Sequence, residues 1–375
     1  MPMKLLKYYI NLGAPPIRDY ASDSEPFLRP EVGFNPSWFH KFCGIDFSER
    51  WHTDIPYRLE SHEKMAAEIK RRFPGYNIGE VLDDKPVDLL TGIFGIGVMD
   101  SILGRELHYE PHMWPAPVGE PLTDEDINRL EVPDLSKNEF FQSILAQVEK
   151  IHALTGSARG FLNWQGNLNT AFRLRGTDIF SDLLINRPLV EKLLHVISET
   201  FLQGVKLLHA RQKELGTEYH FGTIANCTVN MAGPKTYEDV LLKHDIKIAS
   251  QFEVCGVHNC AWTATPYLES YSKVPNVGYI DMGIETDLAK AREVFPRARR
   301  NCLYKSIDLG AKTKEEIRRD FELIAENLAP CDIGMPDIDH GVPDEKIMYA
   351  VDLCKEFSDK HPVKRPPVVA QRTGA

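Results

Sequence analysis

The chain has 375 residues, 43% of them hydrophobic and 26% charged, a composition that suits a globular enzyme built as one large α/β domain or two smaller ones. Its net charge is −10, with no basic block beyond Lys70-Arg71-Arg72 and the Arg297–Arg300 stretch, which excludes the sustained cationic footprint of a nucleic-acid binder. No run approaches the ~20 apolar residues of a membrane helix, and the opening "MPMKLLKYYI" lacks the apolar stretch of a leader, so a cytoplasmic location off the membrane is expected.

In chain order, the Pro- and aromatic-rich start ("APPIRDYASDSEPFLRPEVGFNPSWFHKF") predicts irregular structure wrapped over a core. An amphipathic helix over 55–73 is stopped by Pro74, and Thr123 with Asp126 forms a capping-box signal. From about residue 137 strands and helices alternate. Helices are expected over 138–155, 179–185 and 187–215, the last opened by Pro188 in its first turn. "RGFLNWQG" (159–166), "EYHFGTIAN" (218–226), "EVCGVHNCA" (253–261), "NVGYIDMG" (276–283), "NCLYKSIDLG" (301–310) and "CDIGMPDID" (331–339) predict strands. Each is followed by a helical pattern, and the Thr313–Glu316 signal opens one of them. Successive strand–helix units argue for a parallel sheet. With an earlier strand such as "LHYEPHMW", an eight-stranded (β/α)8 TIM barrel is the natural closure, although a doubly wound sheet also fits. The expected organisation is an irregular N-terminal extension over 1–84, the barrel over 85–360 and a flexible tail over 361–375.

A parallel barrel carries its chemistry at the C-terminal strand ends. Those ends offer Gln165 and Asn167, Asn226 and Cys227, His258 and Cys260, then Asp281, Lys305 and Asp308, and finally Asp337, Asp339 and His340. His258 and Cys260 lie two apart, so on a continuing strand imidazole and thiolate emerge on one face, half of a zinc site. Core packing is the commoner use of a His near a Cys on a strand, and spacing alone leaves both readings open. The seven cysteines are odd in number and scattered, which predicts reduced thiols, with Cys255, Cys302 and Cys354 in apolar settings as small hydrophobes. Arg173 and Arg175 could bind an anion or support a helix. His220, at the start of its strand, reads as structural. "GIFGIGVMDSILG" misses the spacing of a dinucleotide loop.

"GNLNTAFRLRGTDIFSDLLINRPLVEKLLHVISE", "GPKTYEDVLLKHDIKIASQFEVCGVHNCAW" and "VPDEKIMYAVDLCKE" together resemble the uroporphyrinogen decarboxylase superfamily, over about 85–358. The resemblance implies a TIM barrel. The arginine-rich N-terminal loop of the decarboxylase branch is absent, since "FNPSWFHKFCGIDFSERWH" differs in character, so the similarity points to the zinc-dependent methyltransferase branch. In that branch His-x-Cys supplies zinc ligands, matched here by His258 and Cys260. Relatives carry a third thiolate at a position that falls, counted back from Pro343, beside Asp337. The expected third ligand is therefore Asp337 (or Asp339), with Cys331 as the alternative.

The function so implied moves a methyl group between a small methylated substrate (an ether, amine or thiol) and a corrinoid (cobalamin) protein. Gln165, Asn167 and Asn226 would bind substrate, and Asp281 would act as the acid–base group. Relatives often form homodimers. Two other readings stay open: a metal-free decarboxylase or lyase using Asp281 or Asp337, and a non-catalytic barrel that binds a corrinoid or tetrapyrrole.

Overall fold

The computed structural model of the chain describes residues 19–78 and 88–362. The expected domain boundary at 84/85 and nearly all of the expected tail lie outside the described residues.

Eight strands are present among the described residues: β1 (Leu28–Phe34), β2 (Glu106–His108), β3 (Ala116–Val118), β4 (Phe221–Ala225), β5 (Val254–His258), β6 (Val277–Gly283), β7 (Arg299–Leu303) and β8 (Cys331–Ile338). Six form one sheet in the order β1-β8-β7-β6-β5-β4, and every pairing in it is parallel. Every residue of β5 and β7 is buried, as a parallel sheet covered on both faces requires. The fold class is therefore α/β, with helices such as Lys314–Asn327 and Asp344–Lys360 returning the chain between or after strands. Both predicted capping boxes, Thr123 with Asp126 and Thr313 with Glu316, are formed.

Three expectations are corrected. Residues 28–34, assigned on sequence to an extension, form strand β1 and pair with β8. Pro30 is compatible with that place because, among the described residues, β1 has a ladder on one side only. "LHYEPHMW" contributes no strand to the sheet; its start pairs antiparallel with Ala116–Val118 in a separate two-stranded ribbon. "RGFLNWQG" is no ladder strand, and three of its N–H groups go to side chains. Gly160 N donates to Tyr219 Oη, Phe161 N to Thr91 Oγ1 and Gln165 N to Asn163 Oδ1. The segment nevertheless runs against β4: a Cβ on Gly166 would stand 1.8 Å from the Ala225 carbonyl oxygen. Only glycine permits that approach.

Register brings polar residues side by side on one face of the sheet. His258 pairs with Asp281, Asp281 with Asn301, and Asn301 with Asp332. Successive strand residues alternate faces, so Tyr279 joins Asp281, and Arg299 joins Asn301, on this polar face. At the N-terminal end of the strands the face carries a buried ion-pair layer. Arg299 binds Glu25 at 2.6 Å and Asp332 at 3.0 Å, while Arg29 pairs with the same two carboxylates. The opposite face is apolar, with Ile280, Met282, Cys302, Ile333 and Met335 fully buried toward the helices.

Among the described residues no helix is long and apolar enough to cross a membrane.

Candidate metal centre

β4 and β5 end side by side, with Ala225 opposite His258, and each chain continues into a turn that carries a cysteine. Asn226 N donates to the His258 carbonyl at 2.7 Å, which ties the two turns together. The result is a cluster of Cys227, His258 and Cys260 whose ligating atoms all lie within 4.8 Å of one another. Two thiols and an imidazole are the donor set that zinc takes, and tetrahedral coordination at bonds of about 2.0–2.3 Å keeps ligand atoms within that spacing.

The imidazole is oriented for such a role. His258 Nδ1 lies 2.6 Å from Asp281 Oδ2, which leaves Nε2 as the free ligating nitrogen. Asp281 Oδ1 accepts the Cys260 backbone N–H at 3.0 Å, so one carboxylate grips both arms of the His-x-Cys motif. Cys260 needs that grip because its φ of +65° lies in the left-handed region, unusual for a residue with a side chain. Gln165 and Asp337 share this conformation, with φ of +58° and +53°. Non-glycine strain of this kind persists where surrounding structure imposes it, and here it falls on three of the strand-end candidates.

Electrostatics follow from the contacts. Burial pushes the His258 imidazolium down, but the Asp281 carboxylate, aided by Cys260, outweighs it and holds the ring at about 10. A hydrogen bond from Cys260 lowers the Cys227 thiol, burial opposes this, and the Asn169 side chain adds to the lowering. Cys260 is raised by its bond to Cys227 and by burial. The two thiols are thus pushed in opposite directions, Cys227 down and Cys260 up, beside an imidazole held up by Asp281.

The third member of the cluster is not one of the residues expected as third ligand. Cys331 opens β8 at the N-terminal end of the sheet, and because it precedes Asp332 it lies on the helix-facing side. Burial raises its thiol, as for a small core hydrophobe. Asp337 stands near the C-terminal end of β8 and is absent from the cluster, although desolvation raises its carboxyl while the charge of His258 pulls it down. Asp339 accepts the Gly341 N–H on the surface. Cys227 stands beside His258 and Cys260 in the cluster. It was visible as a strand-end residue, but only the parallel pairing of β4 with β5 sets it against His258.

The residues expected to bind substrate hydrogen-bond to neighbouring side chains. Asn226 and Asn167 both donate their side-chain amides to the buried Asp245, at 2.9 and 3.3 Å, and Tyr237 Oη donates to it as well. Gln165 donates to Asn163 and accepts from Asn169 and Arg173. Arg173 itself is held by Asp100, and Arg175 by Asp182 and Asp124, so both arginines serve the frame. Both oxygens of Asp281 accept hydrogen bonds, from Cys260 and from His258 and Tyr279, which places it behind the cluster as an anchor for His258 and Cys260. Asn169, which links Gln165 to Thr228 and Cys227, carried no sequence signal beyond its place in "GNLNT". His220 pairs with Asp19 on the surface, remote from the cluster.

No protein-family profile matches the chain, and no curated protein matches it. Its structure is similar to that of a methyltransferase from Methanosarcina mazei, with a TM-score of 0.58 over 92% of this chain and 96% of that one, at 16% identity. The two chains share a fold. At that identity the likeness concerns architecture alone, and the chemistry has to be argued from the cluster.

Proposed function

We propose that the protein is a zinc-dependent methyltransferase that moves a methyl group between a small methylated substrate and a corrinoid protein, in the cytoplasm, on a (β/α)8 barrel. The observation that carries the reading is the Cys227–His258–Cys260 cluster at the C-terminal strand ends, with its imidazole oriented by Asp281. The shared fold with a methyltransferase supports it. Closure of the barrel would run through residues 88–91 and 158–165, which bridge toward β4 by the Gly160, Phe161 and Gly166 contacts.

Zinc in this site would polarise the heteroatom of a methyl donor or keep an acceptor thiol ionised at neutral pH. The protein's own part is to hold the ligand atoms, through Cys227, His258 and Cys260. Asn169 would steady the Cys227 sulfur, and Asp337 would supply a carboxyl near the open side, where a proton could be taken or given. A corrinoid protein would approach over the same strand ends.

The test begins with elemental analysis of the purified protein: about one zinc per chain is expected, together with methyl transfer from methylcobalamin to a thiol, or the reverse. A folded protein that takes up no zinc on reconstitution would remove this reading. Metal uptake also has a predicted pH dependence. His258 and Cys260 hold protons at neutral pH without metal, and both must leave on binding. Affinity should therefore fall as pH falls, by about ten- to a hundredfold per unit below neutrality, measured by competition with a chelator of known proton linkage.

A further inference from the structure

We propose that Tyr279 is a positioning residue for the metal centre, acting through Asp281; the inference rests on reading the Cys–His–Cys cluster as a metal site. Tyr279 lies two residues before Asp281 on β6, so both side chains leave the strand on the same face. Its hydroxyl donates to Asp281 Oδ2 at 2.9 Å, the same oxygen that receives His258 Nδ1. Asp281 Oδ1 is taken by the Cys260 N–H. Three donors thus hold the carboxylate, and two of them belong to residues of the cluster.

The phenol is itself held. Asn301 Nδ2 donates to Tyr279 Oη at 3.3 Å and to Glu31 Oε2 at 3.2 Å, while Asn301 Oδ1 accepts the Gly334 N–H at 2.8 Å. The chain His258–Asp281–Tyr279–Asn301 therefore crosses β5, β6 and β7 and is anchored on β8 and β1. All four side chains are at most 4% exposed, so water offers no ready substitute for a lost partner. Without the phenol, Oδ2 keeps a single donor and the carboxylate gains a rotation that moves the His258 ring and the Cys260 turn together. Of Asp281, Tyr279 and Asn301, Asp281 is the one hydrogen-bonded to His258 and Cys260, so Tyr279 acts by geometry.

The experiment compares wild type, Tyr279→Phe and Tyr304→Phe by competition of Zn2+ against a chromophoric chelator and by the visible spectrum after Co2+ substitution. Tyr304 is the control because it is also buried and gives its hydroxyl to a carboxylate, Asp320, away from the cluster. Tyr279→Phe is expected to weaken Zn2+ binding about tenfold and to shift the Co2+ bands, with Tyr304→Phe within about twofold of wild type. Should Tyr279→Phe fail to fold, Asn301→Ala, one step further out, is expected to weaken Zn2+ by a smaller factor with the same band shift. Equal affinity in Tyr279→Phe and wild type would overturn the inference, as would equal losses in both tyrosine variants, which would signal general softening. If wild type binds no metal, the reading of the cluster fails first and the inference goes with it.

Discussion

Cys227→Ala is expected to take bound zinc from about one per chain to near zero, and methyl transfer with it, while the protein stays folded. The basis is geometric: removal of this sulfur leaves His258 and Cys260 as two ligands from one turn, too few to hold zinc against the proton affinity of the imidazole. Cys331→Ala is the decisive contrast. Cys331 is fully buried on the helix-facing side, so its loss should cost only about 1 kcal/mol of packing and leave the metal in place. Elemental analysis and thermal melts of the two variants settle which thiol is the ligand. Zinc retained in Cys227→Ala and lost in Cys331→Ala would reverse the assignment.

The second large effect lies at the other end of the sheet. Asp332→Ala should destabilise the fold by about 3–5 kcal/mol, because it strips a buried carboxylate from two guanidinium groups. Arg29 and Arg299 are 2% and 1% exposed, and both bind Asp332 and Glu25. With Asp332 gone, two buried cations share one carboxylate, and burial prevents water from replacing the other. Chemical denaturation of the metal-free protein measures the loss. Asp332→Asn, which keeps an acceptor oxygen, should be milder, and a change of less than about 1 kcal/mol in Asp332→Ala would show that the layer relaxes or is hydrated. Zn2+ affinity at the opposite strand ends should be unchanged in folded samples, which separates this frame effect from the Tyr279 chain.

Legibility in the sequence followed the range of the interactions. Patterns carried within a few residues could be read: the capping boxes at Thr123 and Thr313, the long helix opened by Pro188, and strands β4, β5, β6 and β8, whereas the strand expected over 301–310 is β7 at Arg299–Leu303 and its second half is the helix Ser306–Ala311. The His258/Cys260 pair was likewise local, because period two puts residues i and i+2 on one face. Strand β1 was hidden by Pro30 and by the aromatic run around it, which read as irregular chain until β8 supplied a partner. "RGFLNWQG" had the right composition for a strand, but Tyr219, Thr91 and Asn163 capture its N–H groups, and those partners lie far apart in sequence or depend on the backbone turn.

The amino-acid sequence by itself determined the α/β alternation, the rim of polar residues at the strand ends and the His258/Cys260 part of the candidate metal centre. Tertiary structure decided the rest. Cys227 and His258 are 31 positions apart and meet only because β4 and β5 are parallel neighbours in register. The pairing of β5 with β6 places Asp281 and Tyr279 behind the cluster, and the packing of helices against the sheet brings Asn167 and Asn226 to Asp245. Side-chain periodicity is local, whereas a metal site needs donors from separate strands, and which strands are neighbours is a property of the folded sheet.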